Sequence, residues 1–194
     1  MTMIAFLGAG VMGETILSAV VKAGQDPAAT RVAERRPERA AELREAHPGS
    51  VVTDARSAVE GADVVIVAVK PQDVPAVLAE VGDVVSPQAV VVSIAAGVTT
   101  ATFEAALPEG VAVVRAMPNT PALVGQGMFG LSGGSACGPE HLRLVGDLLG
   151  SAGRVVTVPE AQQDALTAVS GSGPAYVFYL VEQMIAGGVG GGRG

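Results

Sequence analysis

The chain has 194 residues, 49% of them hydrophobic, and a formal net charge of −7. That length accommodates one full domain and part of another, with enough apolar side chains for a sizeable core. The acidity leaves no basic stripe to neutralise nucleic-acid phosphates; the single Cys137 excludes an intrachain disulfide, and with only His47 and His141 beside it no His/Cys metal site is expected.

The N-terminus MTMIAFLGAG lacks a basic leader followed by a long apolar run, and no stretch approaches the roughly 18 apolar residues of a membrane span. A soluble, cytoplasmic protein that contacts neither nucleic acid nor membrane is expected. In chain order, Met3–Leu7, Arg31–Glu34, Val51–Val52, Val64–Val69, Val90–Ile94 and Val111–Met117 read as strands. Between them Val11–Ala23, Pro37–Ala46, Val74–Val81 and Thr100–Ala106 read as helices, with a short turn near Ser57–Glu60. VVIVAV and VVVSIA are apolar at every position, as in strands covered on both faces. The alternation predicts an α/β fold with a parallel, doubly wound sheet and right-handed crossovers.

Beyond Met117, Gly127–Ser132 and Arg154–Val158 read as further strands and Pro139–Leu149 as a helix. From about Glu160 the pattern turns helical, interrupted by SGSGP, so residues 1–158 are expected to form the sheet domain and 159–194 the start of an all-helical domain. Ala175–Ala186 is mostly apolar around its circumference, which predicts cover by another domain or subunit. The tail GGVGGGRG is expected to end without completing an element.

Gly8-Ala9-Gly10-Val11-Met12-Gly13 is a G-x-G-x-x-G that follows the first strand and opens the first helix, the context of a Rossmann dinucleotide-binding turn. The first glycine permits the tight turn, the second lets the pyrophosphate approach the backbone, and the third lets helix and strand pack closely. About 21 residues on, where the ribose is read, stand Glu34, Arg35 and Arg36. The carboxylate suits the ribose hydroxyls of NAD and the arginines suit the 2′-phosphate of NADP, so NADP is expected with NAD possible. As surface charge opening a helix, the two arginines could also be solvated without a ligand.

Ligands of doubly wound sheets lie outside the carboxyl ends of the strands. Three segments converge there: Ala68-Val69-Lys70-Pro71, Ala95-Ala96-Gly97-Val98, and Arg115 to Pro121 with Asn119 between prolines. Individually, Lys70 could be a solvated strand end, Met117 core and Asn119 turn chemistry. Thr167–Tyr176 is read as one helix ending and another beginning. Ser172 or Gly173 would be its cap and Pro174 its first turn, a place where N–H groups and two hydroxyls could hold a carboxylate.

TAVSGSGPAYVF, preceded in order by GAGVMG, VKP, AAGV and RAMPNTP, resembles pyrroline-5-carboxylate reductase from Met3 to about Val189. The resemblance implies reduction of 1-pyrroline-5-carboxylate to L-proline by NAD(P)H, the last step of proline biosynthesis. It assigns Leu7, Gly8, Ala9, Gly10, Val11 and Met12 to the pyrophosphate and Arg36 to the adenosine phosphate region; Gly13, the third glycine of the fingerprint, and Arg35, the neighbouring cation, are expected in the same cofactor site. Ala68, Val69, Lys70, Pro71, Ala95, Ala96 and Gly97 would line the path to the nicotinamide, and Asn119, converging on the same sheet edge, is expected to bind the cofactor. Glu160, Ser170, Gly171, Ser172 and Gly173 would face the substrate. The family continues into a helical domain that builds a homo-oligomer and carries the expected proton donor. A chain stopping at Gly194 is therefore expected to bind the dinucleotide with impaired catalysis, its catalytic residue lying beyond. The alternatives are a non-catalytic dinucleotide-binding module, or another reductase of the Rossmann superfamily, against which SGSGPAY speaks.

Overall fold

Apolar residues at every position of a strand require cover on both sides, and the computed structural model, which describes residues 2–191, provides it. The elements run β1 (Ile4–Leu7), α1 (Val11–Lys22), β2 (Thr30–Ala33), α2 (Pro37–Ala46), β3 (Val51–Thr53), α3 (Ala55–Val59), β4 (Val64–Val67) and α4 (Val74–Val81), then β5 (Val90–Ser93), α5 (Thr100–Glu104), β6 (Ala112–Met117) and β7 (Gly127–Gly133). They close with α6 (Pro139–Leu149), β8 (Gly153–Thr157), α7 (Gln163–Leu166) and α8 (Gly173–Gly191). Side chains alternate across β1: Ile4 and Phe6 pack with Ile16, Leu17, Leu43 and Leu149 on one face, Ala5 and Leu7 with Val77, Leu78 and Phe103 on the other.

The strands form one sheet in the order β3-β2-β1-β4-β5-β6-β7-β8. The first six are parallel, with Ile4 to Leu7 in register with Thr30 to Ala33 and Val64 to Val67. The expected all-parallel sheet is corrected at β7, which runs antiparallel to β6. Between Met117 and Gly127 the chain makes only a proline-bearing turn with a 3-10 helix at Thr120–Val124. That is too short for a crossover, which needs a dozen or more residues, so the strand must reverse. Helix α6 then returns the chain to place β8 parallel to β7.

Smaller differences also have local causes. Strand β4 stops at Val67 rather than Val69, because its partner β1 ends at Leu7, where Gly8 turns away at φ +88°. The turn expected at Ser57–Glu60 is the short helix α3, capped by Asp54 accepting from the Ser57 N–H at 2.9 Å. The chain remains helical to Gly191, so Gly187 to Gly191 of the tail extend α8; Gly192, Arg193 and Gly194 lie outside the described residues.

Residues 160–171 are fastened to the carboxyl edge of the sheet by polar contacts. The Glu160 carboxylate accepts from the Thr100 N–H at 2.8 Å and the Thr100 hydroxyl at 2.7 Å. Arg115 of β6, its side chain 6% exposed, reaches Glu160 at 3.5 Å and Asp164 at 3.2 Å. The buried Gln163 donates to the Gly130 carbonyl at 3.0 Å and to Ser132 Oγ at 2.8 Å. Burial pushes the Glu160 carboxyl up, but the Thr100 hydrogen bonds and the Arg115 guanidinium outweigh it and hold the group below the ordinary carboxylate range.

Phe129→Ala, which empties a fully buried site on β7, should cost about 3–5 kcal/mol in urea unfolding. Glu160→Gln, which removes the charge facing buried Arg115, should cost roughly 1–3 kcal/mol at neutral pH. Because the folded carboxyl is depressed, its contribution is full above the unfolded value of about 4.3 and vanishes as pH falls through the lower folded value. Variant and wild-type melting temperatures should therefore converge on acidification through this window; an undiminished gap there would refute the ion pair's role.

Candidate functional site

The turn between β1 and α1 is built by absent side chains. A Cβ on Gly8 would come within 2.9 Å of Val69 Cγ1 and 3.2 Å of the Ala68 carbonyl carbon, at a φ that L residues rarely adopt. A Cβ on Gly13 would meet the Gly8 carbonyl oxygen at 2.7 Å and Ala68 Cβ at 3.0 Å. Around Gly10 there is open space. The first and third glycines thus let α1 close on β1 and β4, while the second leaves room for a ligand against the backbone. These are the demands of a dinucleotide pyrophosphate at a helix N-terminus.

The turn opens onto a cleft of about 480 Å³. Of the cofactor residues expected from sequence, Leu7, Gly8, Ala9, Gly10, Arg35, Arg36, Ala68, Val69 and Lys70 line it. Gln72, Asp73, Val77 and Glu80, which sequence reasoning missed, also line it, brought in by the 3-10 turn at Pro71–Asp73 and by α4. Val11, Met12, Gly13, Pro71, Ala95, Ala96, Gly97 and Asn119 are not in its lining. Met12 packs against the core, and Gly13 is buried in α1. Ala95 to Gly97 follow β5 on the same sheet edge, beside β4, where the Ile94 N–H donates to the Val67 carbonyl at 3.1 Å.

At the end of β2 the competing charges resolve into a pair. Glu34, its side chain 8% exposed, accepts from the Arg36 N–H at 3.0 Å and from Arg36 Nε at 3.1 Å. Burial raises the Glu34 carboxyl, yet the hydrogen bonds and charge of Arg36, with the Ala9 N–H, hold it low. Arg35 is exposed and has no hydrogen-bond partner among the described residues.

Residues expected on the substrate side lie past the end of β6. Asn119 Nδ2 donates to the Ser170 carbonyl at 3.3 Å, while its Oδ1 accepts from the Met128 N–H at 2.9 Å. A Cβ on Gly171 would meet Met117 Cε at 3.0 Å. The expected change of helix falls here: Thr167–Gly171 is a π-turn in which the Ser172 N–H reaches the Thr167 carbonyl at 2.8 Å, and Pro174 stands in the first turn of α8. Ser172 itself stays right-handed helical, at φ −88° and ψ −17°, before α8 begins at Gly173. Pro174 has no N–H to offer the Ser170 carbonyl, so that carbonyl turns to Asn119 and the helix widens. Helix α8 leaves Tyr176, Phe178, Tyr179, Leu180, Met184 and Ile185 between 58% and 67% exposed.

Residues 3–97 match the family model described as NADP oxidoreductase coenzyme F420-dependent, and residues 160–193 match the one described as pyrroline-5-carboxylate reductase dimerisation. The chain is 47% identical to pyrroline-5-carboxylate reductase of Mycobacterium tuberculosis over 98% of its own length, spanning 66% of that relative. To the Corynebacterium melassecola enzyme it is 43% identical, covering 97% of itself and 71% of the relative. Among solved structures it superposes on a Coxiella burnetii pyrroline-5-carboxylate reductase with a TM-score of 0.89 and 34% identity, covering 97% of this chain and 72% of the other. Fold, motif order and identity coincide, and the chain belongs to the pyrroline-5-carboxylate reductase family.

Proposed function

We propose that this chain serves the NADPH-dependent reduction of 1-pyrroline-5-carboxylate to L-proline. The observation that carries the reading is the glycine turn opening onto the cleft, in a chain of this family. Its N–H groups and the α1 N-terminus would hold the pyrophosphate. Ala68 to Pro71, with Ala95 to Gly97, would border the nicotinamide half, and Ser170 to Gly173 would receive the substrate carboxylate beside Asn119. When bound, the reduced dinucleotide supplies the hydride; the imine carbon of the substrate is already electrophilic, so the protein's task is orientation. Glu160, already engaged by Thr100 and Arg115, holds the substrate-side segment in place rather than offering a free carboxylate. The division of the chain near residue 158 is supported by the start of the helical segment, and the apolar exposure of α8 supports cover by a second copy.

NADPH is favoured over NADH because Arg36 neutralises Glu34 and leaves Arg35 as uncompensated positive charge at the ribose end of the cleft. Titration of both reduced cofactors, followed by loss of their absorbance when 1-pyrroline-5-carboxylate is added, tests the proposal. The expected result is tighter binding of NADPH and weak oxidation that requires the substrate. Tight binding with no substrate-dependent oxidation, persisting when a full pyrroline-5-carboxylate reductase C-terminal domain is joined to the chain, would favour the non-catalytic module. Arg35→Met should weaken NADPH about tenfold, the loss of one charge-assisted hydrogen bond, and leave NADH within about twofold. Equal losses for both cofactors would remove Arg35 from the 2′-phosphate.

A further inference from the structure

The carbonyl of Ala9, in the middle of the glycine turn, is held from behind. Arg39 of α2 donates to it through Nε at 3.2 Å and through a terminal nitrogen at 3.2 Å. The same guanidinium pairs with Glu14 in the first turn of α1 and reaches Glu42 at 2.8 Å. The second oxygen of Glu14 lies 3.2 Å from Nε2 of His47, at the C-terminal end of α2. Arg39 and His47 are largely buried, at 21% and 11% side-chain exposure, so this is a packed network rather than a mobile surface pair.

A trans peptide is planar, with its C=O and N–H pointing in opposite directions. Fixing the Ala9 carbonyl toward α2 therefore fixes the Gly10 N–H away from it, and both residues line the cleft. Arg39 also meets an electrostatic problem. Glu14 places a negative charge within one turn of the helix end that must receive an anion, and the guanidinium cancels it at contact distance. We propose that Arg39 is a positioning residue for the cofactor, aiming the Gly10 N–H at the pyrophosphate and screening Glu14 from it. The inference rests on the reading of the cleft as a dinucleotide site.

Two probes separate the pyrophosphate from the rest of the ligand: ADP-ribose, which carries it, and adenosine 2′-monophosphate, which does not. Both are titrated into the wild type, Arg39→Met, Arg39→Lys and the double variant Arg39→Met/Glu14→Gln. Arg39→Met should weaken ADP-ribose by about tenfold, equal to roughly 1.4 kcal/mol, and leave adenosine 2′-monophosphate within about twofold. Arg39→Lys keeps the charge and much of the stem but cannot hold the carbonyl with two donors, and should show a smaller loss of the same selectivity. The double variant should recover part of the affinity, because Glu14 no longer needs screening, but not all of it. Unchanged ADP-ribose binding in Arg39→Met, or in Arg39→Lys if the former does not fold, would overturn the proposal, and so would equal losses for both probes. A wild type that binds neither probe would instead bring down the dinucleotide reading, and this inference with it.

Discussion

The close approach of α1 to the end of β4 is the contact on which the rest of the site depends. It exists because Gly13 has no side chain to strike the Gly8 carbonyl and Ala68, and because Gly8 can take a positive φ. Once α1 lies there, its first turn faces the carboxyl edge of the sheet, and β2 and β4 deliver Glu34 to Arg36 and Ala68 to Lys70 to either side of it. The cleft is thus a consequence of helix-on-strand packing that only glycine permits, more than of the side chains that line it.

Much of this was legible in the sequence because it is local. Pro37–Ala46, Val74–Val81 and Pro139–Leu149 show the bounds expected from helical pattern and proline placement, and the fully apolar strands lie where two-sided cover demands. What escaped was set by distant partners. The reversal of β7 follows from a connection too short to cross over, which an apolar run cannot announce. The π-turn at Thr167–Gly171 depends on Asn119, some fifty residues earlier, taking the carbonyl that Pro174 leaves free. The sequence sets Glu34 against two arginines without pairing them; that Arg36 folds back on the carboxylate is a contact of the folded chain.

Arg39 and Glu14 illustrate the same limit at the site itself. Within the sequence, Arg39 is one more charge on an amphipathic helix and pairs plausibly with Glu42 three residues on. Only the placement of α2 beside α1 turns it toward the Ala9 carbonyl. The charges that matter most here are spent within the protein, neutralising Glu34, Glu14 and Glu160. In this way an acidic chain can keep these carboxylates from opposing the anion that the cleft is proposed to bind.

The seam between residues 160–171 and the sheet has a dynamic corollary. Its fastening is mainly directional, an ion pair and hydrogen bonds from Thr100, Arg115, Gln163 and Asn119, beside the apolar contacts of Leu166 with Gly130 and Met117 with Gly171. Cooperative opening units in proteins tend to separate where such seams replace a continuous hydrophobic core. Amide hydrogens of α7 and the π-turn should then exchange with solvent through a sub-global opening that leaves β1 to β6 protected. The energetic boundary of the molecule would lie along this seam, inside the chain's continuous fold.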